Sequence, residues 1–505
     1  MTGKQQEWAN KMLVRQRIAV VAALVASGIP SVADANVSIS NKPTKNMSCT
    51  AGVCSPTAKK AVLNVGDLAN MLATGDVKIT SDGLAQDIEI DAGLSWTSPQ
   101  RLTLDSYRSI VFSKSLTVAG PGALTITTNG GGPGGDFVFF GKAHVEFWEL
   151  NLRFDRLTIN GQAYELAKNI KQIARAFELA ERRGGSAYVA LAKDYDAARD
   201  GIYAHPVVAG ELSGALEGLG NIVSNLTIKD STDRYVGFVA LTNFENGMVR
   251  DFALAATTVD ASENQQNPQY VGGLIADAEY VVFRCFVTGR VSAGPNAYVG
   301  GLVGQLYSDI RQSHADILIA AGDGSLVGGL VGYSHEGRAL QSFAAGGILG
   351  GNDSIVGGLL GEGWTNGFGT LTEDSYSTVS VSGGENAEAG GLVGATLSYR
   401  GGKNVVRGSY STGAVTGGTG GTVGGFIGSY TSSGNDISNA YWDIDTSGIN
   451  DLSQGCGNIE DCPGVTGLTD AQLESGLPAG FDPSVWGQDA SINNGYPYLL
   501  ANLPQ

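Results

Sequence analysis

Two stretches of this 505-residue chain bring acidic side chains close together: Asp194, Asp196, Arg199 and Asp200, then Asp230, Asp233 and Arg234. Clustered carboxylates, or an Asp/Arg/Lys set on one face, are what cleavage of a polysaccharide by hydrolysis or elimination requires. Both groups fall at turn-like places, where acidic residues ordinarily serve solvation, so neither is expected to be catalytic. A zinc-protease motif also fails: His335–Glu336 is the only His-Glu pair, and Ala339 stands where the second zinc histidine would be. The four histidines (His144, His205, His314 and His335) share no spacing and are read as surface or packing residues. No GxSxG nucleophile motif occurs. "NGGGPGGD" at 129–136 is a loop and not a phosphate cradle, because no Lys-Ser or Lys-Thr follows it. The expectation is a chain with no catalytic residue, no metal and no cofactor. Tyr and Trp in loops (Trp364, Tyr399, Trp442) offer faces on which sugars could stack.

Cysteines suggest the compartment. Cys49 with Cys54 and Cys456 with Cys462 each close a small loop, and neither pair has CxxC spacing or neighbouring histidines. They are expected as disulfides in an oxidising compartment. The start agrees: Lys11, Arg15 and Arg17 precede an apolar run from Ile18 to Val25, and Ala33-x-Ala35 follows. That three-part form is read as a secretory signal over residues 1–35, most natural from Met12. No segment approaches 18 uninterrupted apolar residues, so no transmembrane segment is expected. The formal net charge of −17 argues against nucleic acid or an anionic membrane as partner.

What must position any site is a repeat. Glycine numbers 74 of 505 residues, about twice the usual share of roughly 7%. Much of it sits in one phrase: "YVGGLIA" from Tyr270, "YVGGLVG" from Tyr298, "LVGGLVG" from Leu326, "IVGGLLG" from Ile355, "AGGLVG" from Ala389 and "TVGGFIG" from Thr422. The repeated units are Val271-Gly272-Gly273-Leu274, Val299-Gly300-Gly301-Leu302, Val327-Gly328-Gly329-Leu330, Val356-Gly357-Gly358-Leu359, Ala389-Gly390-Gly391-Leu392 and Val423-Gly424-Gly425-Phe426. Their intervals are 28, 28, 29, 33 and 34 residues, and a weaker copy opens at Tyr235. A second phrase runs in phase, with a small residue at Cys285, Ser313, Ser342, Ser375 and Ser409. Cys285 thus fills a serine slot and is expected to be a buried, unreactive thiol.

Two phrases in phase at about 30 residues define a solenoid whose units bury their apolar residues only by stacking. Pieces of four to six residues rich in Val, Ile, Tyr, Ser and Thr are strands. In a regular strand Val299 and Leu302 would face opposite sides. A corner at Gly300–Gly301 brings both inward, with glycine expected there for the backbone angles it tolerates.

The remaining chain divides around this array. Residues 36–60 read as a linker holding the small Cys loop. Residues 61–164 carry short alternating runs starting at Ile79, Ile88, Leu102, Ile110, Leu116, Leu124, Phe137, Val145 and Leu157, which suit parallel coils or a sandwich. An amphipathic helix is expected over 165–185, its stripe made of Leu166, Ile170, Ile173, Phe177 and Ala180, covering adjoining strands. The array proper is 186–445, and 446–505 is expected to cap its last coil.

The "VGGLVG" copies with "SYSTGAVTGG" between them resemble GLUG repeats of secreted bacterial surface proteins, including filamentous-haemagglutinin-like adhesins. "GELSGALEGLGNIVSNLTI" (210–228) is similar to the segment that opens such arrays, and "AYWDIDTSG" (440–448) with "NNGYPYL" to the tail that closes them. "RLTLDSYRSIVFSKSLTVAGPGALTITTN" (101–129) resembles the coils that precede them. The resemblance implies an all-β, right-handed parallel β-helix, secreted or displayed on a bacterial surface. Adhesion to an extracellular glycan or protein would be its function, an outer-membrane secretion protein a possible partner, and the periplasm an alternative location. The rival reading is a β-helical polysaccharide lyase or hydrolase using the acidic groups above.

Overall fold

The structure, a computed structural model, describes residues 35–149, 155–431 and 434–504. The signal reading, except for its last residue, lies outside the described residues. Among them, no helix is long and apolar enough to cross a membrane. The described residues form two compact units, divided between Tyr164 and Glu165.

The first unit is a stack of parallel coils. Asn36–Ser40 pairs on one side with Lys60–Asn64 and on the other with Asp87–Ile90, which is followed by Ile110–Phe112 and Phe137–Phe139. Leu94–Trp96, Leu116–Val118 and Val145–Phe147 build a second ladder, and Val77–Thr80, Arg101–Asp105, Ala123–Thr127 and Leu157–Ile159 a third. Every alternating run named from the sequence is a strand, and the coil arrangement holds over the sandwich. Alternation decides the faces: Leu102 and Leu104 are fully buried while Arg101, Thr103 and Asp105 are not. Residues 36–60 are not a linker. Val37 and Ile39 are buried core residues, because the alternation "NVSIS" lets a five-residue strand enter the sheet between two partners. Cys49 and Cys54 face each other across the hairpin Met47–Thr50/Val53–Pro56 and are bonded. A short helix, Val65–Leu72, capped by the Asn64 side chain, was not foreseen.

The second unit is the array. Its helix spans Ile170–Arg182, shorter than expected: Asn169 caps it by accepting from the Gln172 N–H, and Leu166 lies in the strand before it. Ile170, Ile173 and Phe177 are buried against the strands Ala187–Leu191 and Val208–Leu212. Beyond it, each coil contributes to three parallel sheets. In the valine sheet, Val236, Val271, Val299, Val327, Val356, Ala389 and Val423 stand in register on successive strands. Leu274, Leu302, Leu330, Leu359, Leu392 and Phe426 are buried beside them. Each such side chain adds about 1.5–3 kcal/mol of apolar burial, which is why the units hold only as a stack.

The glycine pairs do make the corner, but for a different reason from the one expected. None of them has a positive φ. A Cβ on Gly300 would sit 1.9 Å from the Val303 carbonyl oxygen, and one on Gly301 2.1 Å from the Gly329 oxygen in the next coil. The same 1.9–2.3 Å clashes recur at Gly272, Gly273, Gly328, Gly329, Gly357, Gly358, Gly390, Gly391 and Gly424. The chain needs glycine here for closeness of approach and not for dihedral freedom.

In the third sheet the small residues form a hydrogen-bonded ladder. The Cys285 N–H donates to Ser313 Oγ at 3.0 Å, Ser313 N–H to Ser342 Oγ at 3.2 Å, Ser342 N–H to Ser375 Oγ at 3.2 Å and Ser375 N–H to Ser409 Oγ at 3.1 Å. Cys285 is buried and free, and burial pushes its thiol up to about 12.

The C-terminal segment closes the last coil only in part. Gln454–Gly457 supplies the backbone partners of the next, missing coil: Gly425 N–H donates to the Gln454 oxygen at 2.9 Å and Phe426 N–H to the Gly455 oxygen at 3.0 Å. The bonded pair Cys456–Cys462 holds this loop. Residues 470–502 then run back along the side of the array. They cover a row of stacked rings set one place after the small residue of each coil: His314, Phe343, Tyr376 and Tyr410, with centroids 4.5–5.0 Å apart. Leu473, Phe481, Trp486, Tyr496 and Leu499 form the cover. An outward apolar row on a sheet needs such a cover, so the tail is a strap along several coils as well as a cap.

Candidate functional site

The same phrase that builds the corner also builds a crease on the outside of the array. After the corner the chain enters the second sheet: Val239–Thr242, Ile275–Ala278, Val303–Leu306, Val331–His335, Leu360–Asn366, Val393–Tyr399 and Ile427–Tyr430. Its outer face turns toward that of the valine sheet, and the last glycine of the later phrases (Gly304, Gly332, Gly361, Gly394 and Gly428; Ala276 stands there in the first) lets the two meet backbone to backbone. A Cβ on Gly304 would lie 2.8 Å from Val271 N, and one on Gly332 2.5 Å from Val299 N.

Larger side chains line the crease. On the valine-sheet wall Tyr235, Tyr270 and Tyr298 occupy one register position, with ring centroids 5.0 and 5.2 Å apart. Later coils place Leu326, Ile355 and Glu388 there. On the opposite wall Asp277, Gln305, Tyr333 and Glu362 stand in register. The walls touch: the Tyr298 and Tyr333 rings are 4.9 Å apart. Arg234 lies over the Tyr270 ring at 5.2 Å and donates to its hydroxyl at 3.3 Å. The tyrosines are half-buried, with faces partly open to solvent. Burial and then the neighbouring Glu388 carboxylate push Glu362 up to about 7, and burial also raises Glu388. Gln305 is 3% exposed and its Oε1 has no hydrogen-bond partner. Aromatic faces alternating with carboxylate, amide and hydroxyl groups suit a polyhydroxylated ligand that stacks and hydrogen-bonds.

The residues singled out from the sequence fare unequally. Asp194 Oδ1 accepts the Ile222 N–H at 2.8 Å, and Asp196 caps a 3₁₀ turn and accepts from Asn225 at 3.0 Å. Asp200 accepts from the Tyr195 and Tyr203 hydroxyls, each at 2.9 Å, and pairs with Lys171 at 2.8 Å. That first group is engaged in holding coils together. The second group gathers with a residue sequence reasoning set aside: His205 Nδ1 lies 2.8 Å from Asp233 Oδ2. The two are 28 residues apart, one coil, so the repeat interval was the signal that joined them. Trp442 is fully buried in the array core and offers no face to a sugar. Trp364 is half-buried against His335, and Tyr399 is 58% exposed. The crease tyrosines and Glu362 were missed, although their place in the phrase (before the valine, and two after the last apolar residue) was readable.

No family model matches the chain, and no curated protein matches its sequence. Among solved structures, the crystal structure of a "putative immunoglobulin A1 protease" from Bacteroides ovatus is similar at 16% identity, covering 67% of this chain and 93% of that chain, with a TM-score of 0.42.

Proposed function

We propose that this protein is a secreted or surface-displayed, adhesin-like scaffold of the GLUG-repeat kind that its sequence resembles. It binds an extracellular glycan, or a protein through its glycans, without turning it over, after export that an outer-membrane partner assists. The observation that carries this reading is the crease: a repeated row of half-buried tyrosines facing carboxylate and amide groups over successive coils. A ligand lying along it makes many modest contacts, and affinity accumulates with their number.

One observation favours a second reading, a β-helical carbohydrate-active enzyme. Glu362, pushed up to about 7, sits beside Glu388 in the same crease, and a raised carboxyl next to a second one is the arrangement of an acid and its partner in glycoside cleavage. A single experiment separates the two. The protein is applied to an array of glycans and extracellular-matrix proteins, and every bound species is assayed for cleavage. Binding without cleavage, weakened about 2–12-fold by Tyr270→Ala or Tyr298→Ala (about 0.5–1.5 kcal/mol for one ring), supports the scaffold. Cleavage abolished by Glu362→Gln with binding retained establishes the enzyme. Binding that is indifferent to the tyrosine substitutions rejects the crease as the site.

A further inference from the structure

We propose that His205, Asp230 and Asp233 form a site for a divalent cation of the first transition row, with zinc or manganese as its class. One ligand atom from each of the three residues lies within 4.8 Å of those of the other two. The backbone sets this up. Ile202–Tyr203 pairs with Thr227–Ile228 on the adjacent coil. His205 and Asp230 stand equally far beyond that pairing, so the two turns leave the sheet side by side. Asn264 Nδ2 donates to the Asp233 carbonyl oxygen at 2.7 Å and Gln266 Nε2 to that of Thr232 at 3.1 Å, which fixes the acidic turn from the next coil.

The second observation is at Asp230. Its side chain is 1% exposed. Oδ1 is saturated, accepting the N–H groups of Thr232 and Asp233, both at 2.9 Å, and the Thr232 hydroxyl at 3.2 Å. Oδ2 is equally buried and has no hydrogen-bond partner. A carboxylate oxygen without a donor is a charge taken from water with nothing in return. A ligating His205 is neutral, so the group presents the two negative charges of Asp230 and Asp233, which a dication balances.

The donor set selects the class of ion. Calcium and magnesium take oxygen ligands almost alone, whereas imidazole with carboxylate suits zinc and manganese. His205 and Asp233 reach solvent with 64% and 40% of their side chains exposed, so an ion can enter and keep water in its remaining positions. Bound there, it ties one turn to the next coil at the beginning of the array.

The test uses the full chain without an affinity tag. Calorimetric titration with zinc chloride, manganese chloride and calcium chloride should give one-to-one binding, tighter for zinc or manganese than for calcium. Asp230→Asn keeps the Oδ1 acceptor that holds the turn, and His205→Ala changes an exposed side chain, so both should fold, as circular dichroism will check. Each should weaken binding by about tenfold or more, since loss even of an outer-shell partner costs about 10–100-fold. His144→Ala, in the first unit, should leave binding unchanged. Without metal, Asp230→Asn should melt no lower than the parent, being relieved of a buried charge. Absence of saturable zinc and manganese binding, binding that survives both substitutions, or preference for calcium would overturn the proposal.

Discussion

Asn502 donates through Nδ2 to the carbonyl oxygen of Ser313 at 3.1 Å, spanning 189 residues of chain. The same amide donates to the Gln341 oxygen at 3.2 Å, and His314 Nδ1 meets its Oδ1 at 2.9 Å. These contacts anchor the far end of the strap. Further along it, Tyr410 donates to the Pro497 oxygen at 2.5 Å, Tyr441 to the Ala479 oxygen at 2.8 Å, and Trp486 Nε1 to Asp374 Oδ1 at 3.2 Å. Trp486 is the largest ring of the cover and is fully buried. Trp486→Ala should therefore cost about 3–5 kcal/mol. Hydrogen exchange should localise the loss to the strands Phe343–Leu349 and Asn404–Ser411, with new binding of a hydrophobic dye. Unchanged protection in those strands would mean that the array stands without its strap.

The pH dependence of stability should have two sides, to which His314 and Glu362 contribute with opposite signs. Burial holds His314 down at about 4, stacked between Phe286 and Phe343. Asn502 spends its N–H groups on two carbonyls, so its Oδ1 accepts and His314 donates through Nδ1 as the neutral ring. The unfolded chain takes up a proton near 6.5 that the fold refuses, so stability is lost as pH falls from about 6.5 to about 4. Glu362 acts with the opposite sign. Folded, it keeps its proton up to about 7, whereas the unfolded group releases it near 4.5, so stability falls as pH rises between those values. Each effect amounts to at most about 3 kcal/mol. His314→Phe should make the acid limb of a denaturation-midpoint profile shallower, and Glu362→Gln should make the neutral limb shallower, where Glu217 and Asp374, also raised by burial, continue to contribute. Profiles that keep their shape would show that these groups titrate alike in both states.

Thiol chemistry should be silent in the folded protein. Cys49–Cys54 and Cys456–Cys462 are bonded, and Cys285 is 1% exposed with its thiol pushed up to about 12. An aromatic disulfide reagent should find no thiol before denaturation and one after it, without reductant. Cys285→Ser should cost less than about 1 kcal/mol, because the hydroxyl extends the ladder that Ser313, Ser342, Ser375 and Ser409 already form. Labelling of the native protein would refute the buried slot.

Much of this fold is legible in the sequence, because a phase repeated at every coil turns a weak local pattern into a ladder: the interval of 28 residues between Val271 and Val299 is the register itself. What was not legible is of two kinds. Glycine at 300 and 301 reads the same whether it serves a left-handed turn or a close approach, and only the positions of the Val303 and Gly329 oxygens decide between them. The strap was missed although its signal lay in the second phrase, one place after each small residue. Phe286, His314, Phe343, Tyr376 and Tyr410 each follow the small residue, and on a strand that places a ring outside at every coil. The crease escaped for a related reason. Its chemistry is spread one residue per coil, so no short stretch contains it, and His205 with Asp233 is the same case in miniature.

The close-approach account of the glycines makes a prediction that the dihedral account does not. If the corner needed only unusual angles, alanine would be tolerated at Gly300 and Gly301, neither of which has a positive φ. Since a Cβ would meet backbone oxygens at 1.9 and 2.1 Å, neither site can relieve the clash by turning a side chain. Gly301→Ala must push the following coil away and break the stacking on both sides. Gly300→Ala and Gly301→Ala should each cost about 1–3 kcal/mol or more, with lost exchange protection centred on Val299–Leu302 and the coils beside it. Gly185→Ala is the control: it also has an ordinary φ, and a Cβ there meets nothing within 4 Å. It should leave the melting temperature unchanged or raise it slightly by stiffening the unfolded chain. Equal behaviour of Gly185→Ala and Gly301→Ala would overturn the close-approach account, and with no positive φ at either corner glycine the phrase "VGGLVG" would again lack a physical cause.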